Sequence, residues 1–432
     1  MNERSLLALA LLGMAAPAQA MSLGALKMKC PEGETLVTAD SGEQRCVAEE
    51  SLSSATSTRA VDRPLSGIRI ETHPYESGHH PMPPYIARVL GSGVAIVDAG
   101  ASEDAGAFDL YSSYSSGAEP SARFSSDYAG DLFGWALATA GDGLAVGAPG
   151  YDLLAVYSSV DADTDYSVDD ASASLLGEAD SALGFAASAT SDGLLATSAP
   201  NDSSGGSVYL ISDAGDGWSA VEDVAAATIS SGSVGAWLGY RLVVADVDGD
   251  GQDDLIASAP GADSVFLFLG DLSSLGSVST DDADAVLTGG VDSAAGYDIA
   301  AVTDAEGAFS HLAVGAPGAD SVHIVSADGL LTGGDLEDVS AVTATGDVGS
   351  GFGARVGGGV GGFAVTVPGE GVEVRSADSG EVTSVFDSGD AGFGAVLSVA
   401  DVDADGALDM VAADAPESGA VTVTSVLSSE LE

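Results

Sequence analysis

Asp246-Val247-Asp248-Gly249-Asp250-Gly251-Gln252-Asp253-Asp254-Leu255, running on into Ile256-Ala257-Ser258-Ala259-Pro260, is the stretch whose reading decides the fold. Its carboxylates fall at loop positions 1, 3, 5 and 9, with glycine at 6 and the backbone carbonyl of Gln252 at 7. A hard cation such as Ca²⁺ takes about six to eight oxygens at roughly 2.3–2.6 Å. Alternate side chains of a tight loop converge on one point, and glycine permits the φ > 0 that the turn requires. Without a cation the arrangement is costly: two carboxylates about 5 Å apart repel by roughly 3 kcal/mol at an effective dielectric of ~20. A solvated acidic turn is the competing reading for any single loop of this kind.

The pattern occurs twice. Asp401-Val402-Asp403-Ala404-Asp405-Gly406-Ala407-Leu408-Asp409-Met410 repeats the four carboxylates and the glycine. Each copy begins eight residues after a hydrophobic residue followed by glycine (Leu238-Gly239, Phe393-Gly394) and leads into Ala-Pro (Ala259-Pro260, Ala415-Pro416). Phe-Gly, an Asp-rich loop and then Gly-Ala-Pro resembles the FG-GAP repeats of integrin α-subunit propellers, and the resemblance covers about residues 66–432. It implies an all-β, seven-bladed β-propeller. Two Ca²⁺ sites are expected. The first, in blade four, takes Asp246, Asp248, Asp250, Asp254 and the main chain of Gln252. The second, in blade seven, takes Asp401, Asp403, Asp405, Asp409 and the main chain of Ala407.

The repeat extends well beyond these two units. A short aliphatic strand ending in Ala-Pro or its substitute appears at 94–99, 144–149, 194–200, 255–260, 312–317, 363–368 and 410–416. Seven copies some 50–60 residues apart fit the period of propeller blades. Most are preceded by a residue paired with glycine: Phe133-Gly134, Leu183-Gly184, Leu238-Gly239, Ala295-Gly296, Phe352-Gly353 and Phe393-Gly394. Each unit reads as four short strands; in the fourth they are expected at 240–245, 254–258, 264–269 and 285–288. The last unit lacks a fourth strand, and 67–72, which alternates apolar with polar residues, is expected to pair with 419–426 and so close the ring.

The 432 residues carry 12 basic and 66 acidic side chains, a net charge of −54, which argues against nucleic acid and anionic membrane surfaces as partners. Residues 1–20 read as a signal peptide, with Arg4, an apolar run and Ala18-Gln19-Ala20 as cleavage site. No later stretch approaches the length of a membrane-spanning helix. The product is therefore expected outside the cell or at its surface, with the periplasm as an alternative. Cys30 and Cys46 predict one disulfide in a small N-terminal segment over 21–65, worth roughly 3 kcal/mol for so short a loop, with two free thiols as the alternative.

The remaining loops carry less chemistry. In units one, two, three and six the first connection is short and Gly-rich. In unit five the in-phase positions are Thr303, Ala305, Gly307 and His311, so no metal is expected there. Asp161, Asp163 and Asp165 read as a solvated acidic turn. His311 and His323 read as structural, and His79-His80 as an exposed loop pair. No nucleophile–base arrangement can be assembled. The function expected is that of a monomeric, calcium-stabilised binding or adhesion module for a protein or glycan partner rather than an enzyme. The alternative is a hydrolase or lyase with its site in the central channel. By analogy with integrin-type propellers, ligands are expected at 261–263, 318–320 and 289–292.

Overall fold

The computed structural model describes residues 106–111, 120–140, 143–368 and 370–386. It also gives the backbone of strands Lys27–Lys29, Glu34–Thr38, Gln44–Ala48, Ile68–Glu71, Tyr85–Leu90, Gly93–Asp98, Val396–Ala400, Asp409–Ala413 and Ala420–Val426. The architecture is all-β: small, mostly antiparallel sheets with a few helices of one turn or slightly more. The fourth sheet shows the plan. Its strands are Leu242–Ala245, Asp254–Ala259, Ser264–Phe268 and Ala285–Thr288, consecutive neighbours in chain order, close to the limits expected from the sequence.

Numbered in chain order, the sheets begin at Tyr85–Leu90, Ala136–Ala140, Ala187–Ala189, Leu242–Ala245, Asp298–Thr303, Val356–Gly358 and Val396–Ala400. Each of these opening strands contacts the opening strand of the next sheet, and Val396–Ala400 contacts Tyr85–Leu90. The pairing expected for 67–72 is present. Ile68–Glu71 lies antiparallel to Ala420–Val426, with Ala420 opposite Glu71 and Val423 opposite Ile68.

The core lies between sheets. Period-2 alternation sends successive side chains to opposite faces, and here both faces are covered. Along Asp254–Ala259, where every residue is buried, Leu255 and Ala257 pack with Val208 and Leu210 of the third sheet. Ile256 packs instead with Leu312 and Val314 of the fifth. Such strands read as continuous apolar runs for the reason that holds in parallel sheets, burial on both sides. Glycine sets how closely neighbours approach. A Cβ on Gly147 would lie 1.9 Å from the carbonyl oxygen of Gly184, the glycine that opens the third sheet.

One sequence expectation needs correction. Four strands per unit is too few for sheets one to four. Each of these gains a fifth, parallel strand from the next unit, inserted between that unit's third and fourth strands. They are Thr164–Ser167 on Ala122–Ser125, Gly217–Ala220 on Ala173–Leu176, Ser277–Ser279 on Ala227–Ser230, and Gly334–Asp335 on Ala285–Thr288. An uncovered edge exposes a row of unpaired N–H and C=O groups that invites aggregation, and the added strand covers it. In the N-terminal segment, Lys27–Lys29 pairs antiparallel with Val382–Asp387 on the sixth sheet. The side chains of Cys30 and Cys46, and hence the expected disulfide, lie outside the described residues.

Candidate metal centre and the opposite loops

Antiparallel succession places the loop between first and second strands at one end of each sheet. The loop between second and third strands, and the connection to the next sheet, lie at the other. The acidic loop 246–253 is of the first kind. Leu242–Ala245 delivers Asp246 to its start and the buried strand Asp254–Ala259 anchors its end. Gly249 (φ 77°) and Gly251 (φ 88°) supply the left-handed turns between them.

The carboxylates of Asp246, Asp248 and Asp254 converge, each offering an oxygen within 4.8 Å of the others. Asp254 is fully buried and accepts from the backbone N–H of Val247 and of Gly270, both at 2.8 Å. Burial pushes its carboxyl above the usual carboxylate range. The two N–H groups oppose that shift and the charge of Asp248 adds to it. Asp246 accepts from Gly249 N–H at 2.8 Å and Gly251 N–H at 3.0 Å, which folds the loop around it. Asp250 lies outside the converging group: its oxygens accept from the backbone N–H and the side-chain amide of Gln252 at 2.8 and 3.0 Å. Three carboxylates held together by backbone donors, one of them buried, form an all-oxygen donor set suited to a hard divalent cation. Asp401, Asp403, Asp405, Ala407 and the side chain of Asp409 lie outside the described residues.

In the fifth unit Asp304 accepts from the N–H groups of Glu306 (3.0 Å) and Ala308 (2.8 Å), so its carboxylate caps the hairpin. The carboxylates of Asp161, Asp163 and Asp165 are exposed, the first two in the loop that leads into the added strand Thr164–Ser167 and the third within that strand. His323 is buried among the hydroxyls of Ser321, Ser340 and Thr343, and burial lowers its pKa.

At the opposite end, the residues expected to meet a ligand divide into two groups. Asp263 and Asp320, left-handed at φ 51° and 50°, hold the next connection in place. Asp263 accepts from Asp292 N–H (3.1 Å), Ser293 Oγ (3.1 Å) and Ala294 N–H (2.6 Å). Asp320 does the same for Gly349, Ser350 and Gly351, and Asp152 for Asp180, Ser181 and Ala182. These carboxylates are clamps between units. Val291, by contrast, is 91% exposed, and Val234 and Val348 are 89% and 102% exposed. Each lies five residues before the glycine that opens the next sheet, Gly239, Gly296 or Gly353. Tyr128 and Tyr151 stack at 5.9 Å on the loops of the same end. Only Val291 was anticipated. The signal for the others was a valine at constant offset from the glycine.

No protein of curated function matches the chain. Among solved structures, it resembles BBS1N in complex with ARL6DN, in a crystal soaked with mercury, at 11% identity and a TM-score of 0.51. That match covers 85% of this chain and 99% of the other. The lead-soaked crystal of the same complex gives 12% identity and a TM-score of 0.51, over 80% and 92% of the two chains. The likeness is one of fold. Residues 238–280, which hold both the acidic loop and the Ala-Pro turn after it, match the FG-GAP repeat family. This stretch of the chain is therefore an FG-GAP repeat, of the kind found in integrin α-type β-propellers.

Proposed function

We propose that the chain is an exported seven-bladed β-propeller that binds a protein partner through the end bearing its sheet-to-sheet connections. The cyclic contact of the seven opening strands, together with the pairing of Ile68–Glu71 to Ala420–Val426, supports the closed ring. Radial repetition of this kind leaves only short, protected edges. Asp246, Asp248 and Asp254 would hold Ca²⁺, with Asp401, Asp403, Asp405 and Asp409 as the matching set in the last unit. The ion would neutralise carboxylates that otherwise repel, and so stiffen the hairpin. Its role is structural, and the work is binding rather than catalysis.

One observation carries the assignment: the valines at 234, 291 and 348, almost fully exposed at the same position of three successive connections. A single exposed valine is ordinary; exposure repeated in register on one face marks an interaction surface. BBS1N, which shares the fold, is itself found in a complex with ARL6DN, and this favours a protein over a glycan. The test is capture from cell-surface extract by the full chain and by the triple variant Val234→Asp, Val291→Asp, Val348→Asp. The variant is expected to keep its thermal stability and lose the captured protein. Equal capture by both overturns the assignment.

A further inference from the structure

What lies beyond the fourth strand differs from sheet to sheet. In sheets one to four it is the added parallel strand from the next unit. In the sixth, Lys27–Lys29 takes that place. The fifth sheet ends on Val342–Thr345, with no strand beyond it among the described residues. The cause lies in the sixth unit, which joins its third strand, Gly371–Ser376, to its fourth, Val382–Asp387, through residues 377–381 alone.

The covered edges identify the groups that the fifth sheet leaves open. In sheets one and two the added strand begins on the residue before the fourth strand. The N–H of Asp163 donates to the carbonyl of Ser121 at 2.6 Å, and that of Gly217 to Ser172 at 2.8 Å. In sheet three the N–H of Thr228, second in its strand, donates outward to Gly276 at 2.8 Å. The equivalents here are the carbonyl of Ala341 and the N–H of Thr343. Both residues are exposed, and neither group has a hydrogen-bond partner among the described residues. The phase is fixed by Ala341 N–H, which donates inward to Ile324 at 2.8 Å, as Ala226 does to Leu210 in sheet three. Val342 is half-exposed, whereas Ala122, Ala173, Ala227 and Ala285, first in the four covered strands, are buried.

The packing beneath this edge is complete. Ala377 is buried with Ala344 between sheets five and six. That is the place Leu336, directly after the added strand Gly334–Asp335, takes with Leu287 between sheets four and five. The turn that holds Ala377 reaches Val342, since a Cβ on Gly380 would lie 2.5 Å from Val342 Cγ1, and it leaves Thr343 and Thr345 exposed. The fifth edge therefore lacks main-chain pairing rather than apolar contact.

We propose that residues 341–345 take an extended segment of a partner protein as a fifth, parallel strand. A free row of N–H and C=O groups is a template for another strand. In strand addition the main chain supplies affinity and alternate side chains supply specificity. The direction follows from the four covered edges, all of which take a parallel strand. Thr343 and Thr345, exposed on the edge, pair best with β-branched neighbours across the strand. A net charge of −54 favours basic residues flanking that segment. The site rests on neither the loop valines nor the acidic loop.

The test uses the full chain and a capped, fluorescein-labelled hexapeptide, Lys-Thr-Val-Thr-Val-Lys, read by anisotropy. Alternate amides of a strand point to opposite sides. N-methylation at the second and fourth residues, or at the third and fifth, therefore blocks one side of the peptide without changing its charge. The unmodified peptide is expected to bind saturably, with one methylated form weakened at least about tenfold and the other nearly unaffected. Hydrogen exchange at the Thr343 amide is expected to slow when the peptide is bound. Thr343→Pro removes the outward donor at a position where an edge strand tolerates proline, and is expected to abolish binding. Absence of binding, equal loss in both methylated forms, an unchanged Thr343 amide, or undiminished binding to folded Thr343→Pro overturns the proposal. Self-association of the chain that Thr343→Pro abolishes assigns the edge to a second copy and overturns it too. The comparison of methylated peptides needs no variant and stands even if Thr343→Pro unfolds the chain.

Discussion

Replacing Asp263 by asparagine, glycine and alanine in turn separates the two things its carboxylate does between the fourth and fifth units. The side chain accepts from the N–H groups of Asp292 and Ala294 at 3.1 and 2.6 Å, and its own backbone is left-handed at φ 51°. A hydrogen bond to a charged group contributes about 1.5–3 kcal/mol. Asp263 is only half-buried, so water replaces part of what is lost, and the pair together is worth about 1–3 kcal/mol. Glycine loses these hydrogen bonds, and that from Ser293 Oγ, without backbone strain. Alanine loses them and adds roughly 1–2 kcal/mol for the left-handed conformation. Asparagine keeps one acceptor oxygen and tolerates that conformation.

The assay is native-state hydrogen exchange at the Ala294 amide, which reads local opening directly. Exchange is expected to accelerate roughly 5- to 150-fold in Asp263→Gly, by at least about fivefold more in Asp263→Ala, and least in Asp263→Asn. The Gly351 amide, held at 2.6 Å by Asp320 in the next unit, is the internal control and should not respond. Equal exchange for the alanine and glycine variants would refute the backbone part of the argument. An unchanged Ala294 amide in all three would refute the clamp itself.

Three further outcomes follow from the same geometry. Asp248→Ala, at an exposed loop position, should lower thermal stability in calcium and leave it nearly unchanged in chelator; equal shifts in both would count against a structural ion. Burial raises the carboxyl of Asp131 to about 6, against opposing hydrogen bonds from Ser126 Oγ and the Phe133 N–H. The folded state therefore holds this proton more tightly than the unfolded chain, and stability from this group falls as pH rises from about 4 to above 6. The melting temperature of Asp131→Asn relative to wild type should climb across that window, and a pH-independent difference refutes the assignment. Gly147→Ala should destabilise by about 3 kcal/mol or more, since its Cβ meets the backbone oxygen of Gly184 rather than a movable side chain; a variant of wild-type stability in urea unfolding would contradict that packing.

Much of the architecture was legible in the chain because its signals are local. The strand limits around Leu255, the recurrence of a residue–glycine pair before most of the apolar runs, and the alternation in 67–72 are all carried by neighbouring residues. So is the convergence of Asp246, Asp248 and Asp254, which period-2 spacing in a turning loop imposes. Asp250 shows where such reasoning ends: it is in phase, yet the Gln252 backbone and amide, two residues on, compete for its oxygens.

Contacts made across units were not legible. The added strands Thr164–Ser167, Gly217–Ala220, Ser277–Ser279 and Gly334–Asp335 are two to four residues long and lack an alternation of their own. Their partners lie about 40–50 residues earlier, on the edge of another sheet. A faint trace exists in the acidic turns that follow them, Val168-Asp169-Asp170, Val221-Glu222-Asp223, Thr280-Asp281-Asp282 and Leu336-Glu337-Asp338, but nothing in those turns says which edge is to be covered. The role of Asp263 as a clamp and the meeting of Arg241 with Tyr240, Asp298 and Tyr297 depend likewise on how one sheet is set against the next. Periodicity along a chain records which side of a strand is buried; which distant group lies there is decided only when the sheets pack.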